Sequence, residues 1–229
     1  MKRLAVIPLA VWTLIASIQA EEPIRERIEW MDIWVTDADK NDLPRVLLVG
    51  DSITRGYFGG VEKQLQGKAY CARLTTSKCV SDPTFNADLQ LLLDQYDFDV
   101  VHVNNGLHGW GYSEDQYEEG LEHTVTAIKK QAPNAQVIWA TTTPVRESLD
   151  LKKYGEKTER VRTRNQIAAE IMKSNDVPTN DLYELVAEHP DWYSNDGVHF
   201  NDQGREAQAN QVAEIVEAHL PATESQSSP

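Results

Sequence analysis

Arg45-Val46-Leu47-Leu48-Val49-Gly50-Asp51-Ser52 is the stretch on which the reading of this chain turns. An unbroken apolar run suits a parallel strand covered on both faces. Gly-Asp-Ser then ends the run and puts a serine at a strand-to-loop turn, open to solvent. Outward from it, residues 99–104 and 136–142 read as further strands, the latter stopped by Pro144. Residues 69–75 form a weaker strand candidate. Residues 177–182 make a last short strand, whose Pro178 suits a sheet edge.

Helical patterns fill the gaps. Residues 85–96 carry Leu89, Leu92 and Leu93 on one face. Ser113 caps a helix running to about residue 131, with Gln116 at the capping-box position. Residues 156–175 form a long helix rich in Arg and Lys. Asn201 or Asp202 caps a final helix reaching about residue 220. Strands alternating with helices predict an α/β domain, a three-layer α/β/α sandwich around a parallel sheet. Residues 21–44 read as an N-terminal arm, helical or extended. Trp30 and Trp34 lie on one helical face there, as a stripe that docks the arm on the core.

The ends are read separately. Lys2 and Arg3 precede an apolar run over residues 4–18, and Ile18-Gln19-Ala20 is a plausible cleavage site followed by Glu21 and Glu22. Residues 1–20 are therefore expected to be a signal peptide, and the protein secreted or periplasmic, with no membrane insertion after cleavage. The polar tail, residues 221–229, is expected to be disordered. The chain has 22 basic and 36 acidic residues, net −14; without the leader's two basic residues, 20 against 36 gives −16. Such a surface repels nucleic acid and anionic membrane, so neither is expected as a partner. Cys71 and Cys79 either pair in an oxidising compartment or stay as small buried thiols. No Cys/His spacing suits zinc, and neither metal nor cofactor is expected.

In a parallel sheet the working loops leave the C-terminal strand ends. Ser52, residues 105–110 and residues 143–146 all follow strands directly, so three segments converge on one edge. Near the other end of the chain stands Asp196-Gly197-Val198-His199. A serine hydroxyl needs a base to become a nucleophile. His199 is the candidate base, and Asp196 would fix its tautomer and offset the imidazolium charge. Asp51 reads as structural, bonding nearby backbone amides.

With these residues in view, the chain resembles the GDSL, or SGNH, family of serine esterases over roughly residues 45–220. Gly50-Asp51-Ser52-Ile53-Thr54 matches the first block, and Asp196-Gly197-Val198-His199 the last. The resemblance implies a flavodoxin-like sandwich and the roles just given to Ser52, Asp196 and His199. It also implies an oxyanion hole that includes the Ser52 N–H. The third block, usually Gly-x-Asn-Asp, is here Gly106-Leu107-His108-Gly109. Register puts His108 where the Asn belongs, and an imidazole can donate a hydrogen bond; neighbouring Asn105 is the alternative donor. The second block lacks its glycine, and Ser81 or a neighbour would supply that N–H.

Trp110 and Tyr112, and Trp192 and Tyr193, are candidates for the pocket rim, where rings stack on sugars or simply pack. Arg146 either binds a polar substrate group or forms a salt bridge. Arg160, Arg164 and Asn165 read as structural, and His102 as packed in its strand. The expected activity is hydrolysis of a small acyl ester, with acetyl on a carbohydrate preferred and the partner a small-molecule or glycan ester. A lipid ester or thioester hydrolase is the enzyme alternative. A non-catalytic carbohydrate-binding protein on a decayed esterase fold is the alternative of another class.

Overall fold

The structure, a computed structural model, describes residues 22–222; the expected signal peptide and nearly all of the expected tail lie outside the described residues. In chain order the elements begin with β1 (Met31–Val35), β2 (Arg45–Gly50), α1 (Ser52–Gln64), β3 (Tyr70–Thr76), α2 (Phe85–Leu93) and β4 (Val100–Val103). They continue with α3 (Glu114–Gln131), β5 (Gln136–Ala140), β6 (Arg146–Glu147), β7 (Asp150–Tyr154) and α4 (Lys157–Ser174). Last come β8 (Thr179–Asn180), α5 (Leu182–Ala187), a 3-10 turn at Pro190–Trp192 and α6 (Asp202–Ala218).

The sheet runs β1-β3-β2-β4-β5-β8. From β3 to β8 every pairing is parallel, and the strand order is that of flavodoxin. β2 is the pivot. Its chain successor β3 lies on one side and β4 on the other, so a crevice opens beyond its C-terminal end, where Ser52 sits.

Period-two alternation in β2 divides the core. Val46 and Leu48 join the cluster under α1, α5 and α6, while Leu47 and Val49 join the one under α2, α3 and α4. All four are fully buried, worth roughly 1.5–3 kcal/mol each in area removed from water. On the first face α1 and α6 pack so closely that a Cβ on Gly60 would lie 2.6 Å from that of Ala209.

The capping box at Ser113–Gln116 forms, and Asn201 caps α6. Two alternatives that the sequence leaves open are decided. The arm is extended rather than helical: β1 pairs antiparallel with β3, so the sheet is parallel except at this edge. Trp34 is left 54% exposed there, under the Arg73 guanidinium. Cys71 and Cys79 are free, buried thiols; burial pushes Cys71 up to about 12 and raises Cys79 as well. Unforeseen elements are α1, the β6–β7 hairpin and α5. No helix among the described residues is long and apolar enough to cross a membrane.

Candidate active site

The turn after β2 admits only glycine at position 50. A Cβ there would lie 2.0 Å from Thr54 Oγ1 and 3.4 Å from the Asn104 carbonyl. Asp51 then caps α1, its Oδ1 accepting the Ile53 N–H at 2.8 Å. Its other oxygen has no partner and is buried. Burial raises the Asp51 carboxyl above the usual range, against the opposing pull of His108, the Ile53 N–H and His199. Both imidazoles therefore lie close enough to favour its ionised form. Ser52 opens the helix, so its own N–H is among those the helix leaves free, at the positive end of the macrodipole.

The loop before α6 is built to present one side chain. Asp196 Oδ1 accepts the Val198 and His199 N–H groups, each at 2.9 Å. Its Oδ2 lies 2.7 Å from His199 Nδ1, and His199 Nε2 lies 2.8 Å from Ser52 Oγ. A carboxylate facing Nδ1 puts the ring proton there and leaves the Nε2 lone pair toward the hydroxyl. Burial alone would raise the Asp196 carboxyl; the bonds from His199 and the two amides outweigh it and hold it below the usual range. The loop is closed by Ser194 N–H donating to the His199 carbonyl at 2.7 Å and by a bridge between Tyr193 and Phe200. Gly197 sits at φ +73°, where a Cβ would meet the Arg146 carbonyl at 2.2 Å.

The structure thus brings Ser52, His199 and Asp196 together, with the His199 and Asp196 side chains 47% and 50% exposed. A cleft of about 390 Å³ adjoins them, lined by Arg55, Ser194, Arg205 and Gln208 among others. Arg55 lies over the Trp30 ring at 4.5 Å. Gln208 is buried with neither amide atom partnered. A groove of about 560 Å³ at the β8 edge, lined by Arg162, Gln166 and Tyr183, shares no residue with this cleft.

The other candidates separate. His108 Nδ1 lies 3.0 Å from Glu26 Oε2, its ring edge-on to Trp30 at 6.4 Å. Asn105 knits two loops together: its Oδ1 accepts the Val80 N–H and its Nδ2 donates to the Lys78 carbonyl, both at 3.1 Å. Both candidate donors are thus partly committed, Asn105 through one Nδ2 hydrogen and His108 through the ring nitrogen that faces Glu26. The Ser81 N–H faces α3, where a Cβ on Gly120 would come within 2.9 Å of it. Arg146 does not reach the cleft. It is buried, donates to the Leu151 and Ala187 carbonyls, and lies over the Tyr154 and Tyr193 rings. Trp192 stacks on His189 at 3.7 Å, and Trp110 lies under Lys157, Arg160 and Arg164. Neither lines the cleft beside Ser52. His102 is packed in β4 against Asn180, and burial lowers it to about 4.

Two arginines read only as structural hold the loop that carries His108. Arg164, wholly buried, donates to the carbonyls of Gly106, His108 and Gly109 at 3.0, 2.7 and 3.3 Å and pairs with Glu114 at 2.9 Å. Arg160, one turn earlier, takes the Trp110 and Tyr112 carbonyls. The i, i+4 arginine spacing on α4 was the available signal. Glu26 and Trp30 of the arm carried none. Among the described residues no three His, Cys, Asp or Glu side chains gather as metal ligands.

A family model described as the GDSL-like lipase/acylhydrolase family matches residues 48–207, a span that includes both Ser52 and His199. The chain belongs to that family. As a GDSL family member it is a carboxylic ester hydrolase of the SGNH type. No curated protein sequence matches it. Solved GDSL-type structures share its fold at low identity. An acetyl xylan esterase is 20% identical at a TM-score of 0.59, the match covering 75% of this chain and 99% of that one. The lipase/acylhydrolase from Enterococcus faecalis is 19% identical at 0.61, covering 78% and 98%. An acetylxylan esterase from Geobacillus stearothermophilus is 16% identical at 0.59, covering 76% and 94%.

Proposed function

We propose that this family member is a secreted serine esterase that removes acetyl from an O-acetylated carbohydrate. The observation that carries the catalytic part is the chain of contacts from Ser52 Oγ to His199 Nε2 at 2.8 Å and from Nδ1 to Asp196 at 2.7 Å. His199 takes the Ser52 proton as Oγ attacks the ester carbonyl carbon. The carbonyl π electrons move to oxygen, and the oxyanion is met by the Ser52 N–H and by His108. As the intermediate collapses, the C–O bond to the alcohol breaks and His199 gives that alcohol its proton. Water, deprotonated by His199, then attacks the acetyl-Ser52 ester and regenerates the serine. Asp196 holds the ring in register throughout.

The choice of acetyl on sugar rests on three supports. The cleft beside Ser52 is predominantly polar, with Arg55, Arg205 and Gln208 around it. Neighbours of the same fold include acetyl xylan esterases. An aromatic ring, Trp30, lies outside the cleft but packs on Arg55, which lines it, and edge-on to His108. The basic-then-apolar segment of residues 1–20 supports export.

Ser52→Ala, assayed on short-chain aryl esters and acetylated glycans, tests the reading. Nearly all activity should vanish with the melting temperature unchanged, and acetyl esters should outrun longer acyl chains. Activity within a few-fold of wild type would eliminate Ser52 as nucleophile. A preference for long acyl chains would eliminate the carbohydrate acetate.

A further inference from the structure

The arm crosses the site on one carboxylate. Glu26 Oε2 faces His108 Nδ1 at 3.0 Å, and Oε1 accepts the Gly109 N–H at 2.9 Å. Flanking contacts fix the crossing. The Ile24 N–H donates to the Tyr112 hydroxyl at 2.7 Å, Ile24 packs where a Cβ on Gly111 would stand, and the Trp30 N–H donates to Ser77 Oγ at 2.9 Å. The strap thus spans the loop after β4 and the loop after β3 together.

The choice of ring nitrogen has a chemical consequence. A carboxylate has no hydrogen to give, so the His108 nitrogen facing it carries a proton. A neutral ring would then have a bare lone pair at Nε2, which repels an oxyanion. Nε2 can donate only if the ring holds both protons. We propose that Glu26 is a positioning residue that holds His108 as an imidazolium, so that the oxyanion is met by a charged donor. This rests on the reading of His108 as the oxyanion donor. The same carboxylate–imidazole pairing thus occurs twice around Ser52, at His199 and at His108.

The surroundings favour the charge. Glu26 and His108 side chains are only 29% and 21% exposed, so their attraction is less screened than a surface pair's. Buried Asp51 interacts favourably with a cationic His108 from the α1 side. The opposing charges are Arg164, spent on the His108 carbonyl and on Glu114, and Arg55, which lies over Trp30. The Cys79 thiol and the Tyr112 phenol both pack against Gly109, and burial raises both.

The test uses the full chain with Glu26→Gln, Glu26→Asp, His108→Ala and His108→Asn, assayed on an aryl acetate across pH, with a ¹H–¹⁵N spectrum of the His108 side chain. His108→Ala should cost about 10²-fold in kcat with KM little changed. Glu26→Gln should lose kcat in the same sense, Glu26→Asp should recover much of it, and Glu26→Gln should add little on top of His108→Asn. Wild-type kcat should fall on the alkaline side as His108 loses its second proton, and that fall should be absent in His108→Asn. If His108→Ala is as active as wild type, the oxyanion reading fails. If His108→Ala is impaired while Glu26→Gln matches wild type in rate and pH profile, that reading stands and the inference is overturned. Should Glu26→Gln fail to fold, the wild-type spectrum decides: both ring nitrogens protonated at the assay pH supports the inference, and a neutral ring overturns it.

Discussion

Arg164→Met probes how a buried cation holds the loop that carries His108. The side chain is wholly buried, and its replacement keeps the stem but deletes the guanidinium. Three loop carbonyls and one carboxylate lose their donor. Charge-assisted bonds of this kind are worth roughly 1.5–3 kcal/mol each, so the naive sum exceeds what a loop can lose before it rearranges. Glu114 is 24% exposed and regains water, which discounts its share. Removing one partner of a buried pair costs about 3–5 kcal/mol, and that is the expected loss here. Against a domain stability of about 5–15 kcal/mol this is a large fraction. At about 2–4 °C per kcal/mol for a domain of this size, the melting temperature should drop by roughly 6–20 °C. The variant should still fold at 15 °C. There kcat on an aryl acetate should be down by about 10²-fold, because a misplaced donor loop costs transition-state stabilisation. Arg160→Met, on a more exposed partner of the same loop, should be milder in both respects. Urea denaturation within about 1 kcal/mol of wild type, together with an unchanged kcat, would refute the role assigned to Arg164.

Two further outcomes follow from buried titratable groups. Asp51→Asn keeps the cap acceptor and removes a charge whose burial raises its carboxyl above the usual range. A raised carboxyl destabilises the folded state as pH climbs above the unfolded value, so the variant's gain in melting temperature over wild type should grow from pH 4 to pH 7; an equal or shrinking gain in thermal melts would contradict this. Cys71 and Cys79 should resist a neutral thiol reagent in the native state and both react after unfolding without reductant, read by intact mass. A mass two units low with no labelling on unfolding would mean they pair.

The parts of the fold legible in the sequence were those encoded locally. The β2 run, the Ser113 capping box, the Asn201 cap and the Asp196–His199 turn each carry their pattern within a few residues. The arm stayed open between helix and strand because a spacing of four serves both readings. Trp30 and Trp34 share a face in a helix of period 3.6 and equally in a strand of period two. β8 lies at the edge that Pro178 suggested, but it pairs through only two residues of the longer stretch read as strand. Arg146 read as a substrate contact or a salt bridge because arginine is seldom buried, and nothing in its neighbours announces the Leu151 and Ala187 carbonyls it serves. Arg160 and Arg164 were read correctly as structural, but their partners are chiefly the backbone of the loop after β4. Glu26 reaches His108 across 82 positions, and one acid among 36 carries no mark of that contact.

The close seam between α1 and α6 has a consequence for chemistry at a distance. Ser52 begins α1, and the loop ending in His199 leads directly into α6. Acid and base share one turn, so they travel together. The only free coordinate left in the relay is the gap between nucleophile and base, and that gap is governed by how far apart two helices lie. Gly60, two turns along α1, lies directly against Ala209 of α6. A methyl group added there has no room, and the helices must part to admit it. The separation would be paid at the hydroxyl–imidazole contact, so a residue with no place in the reaction acts as the spacer that sets its reach.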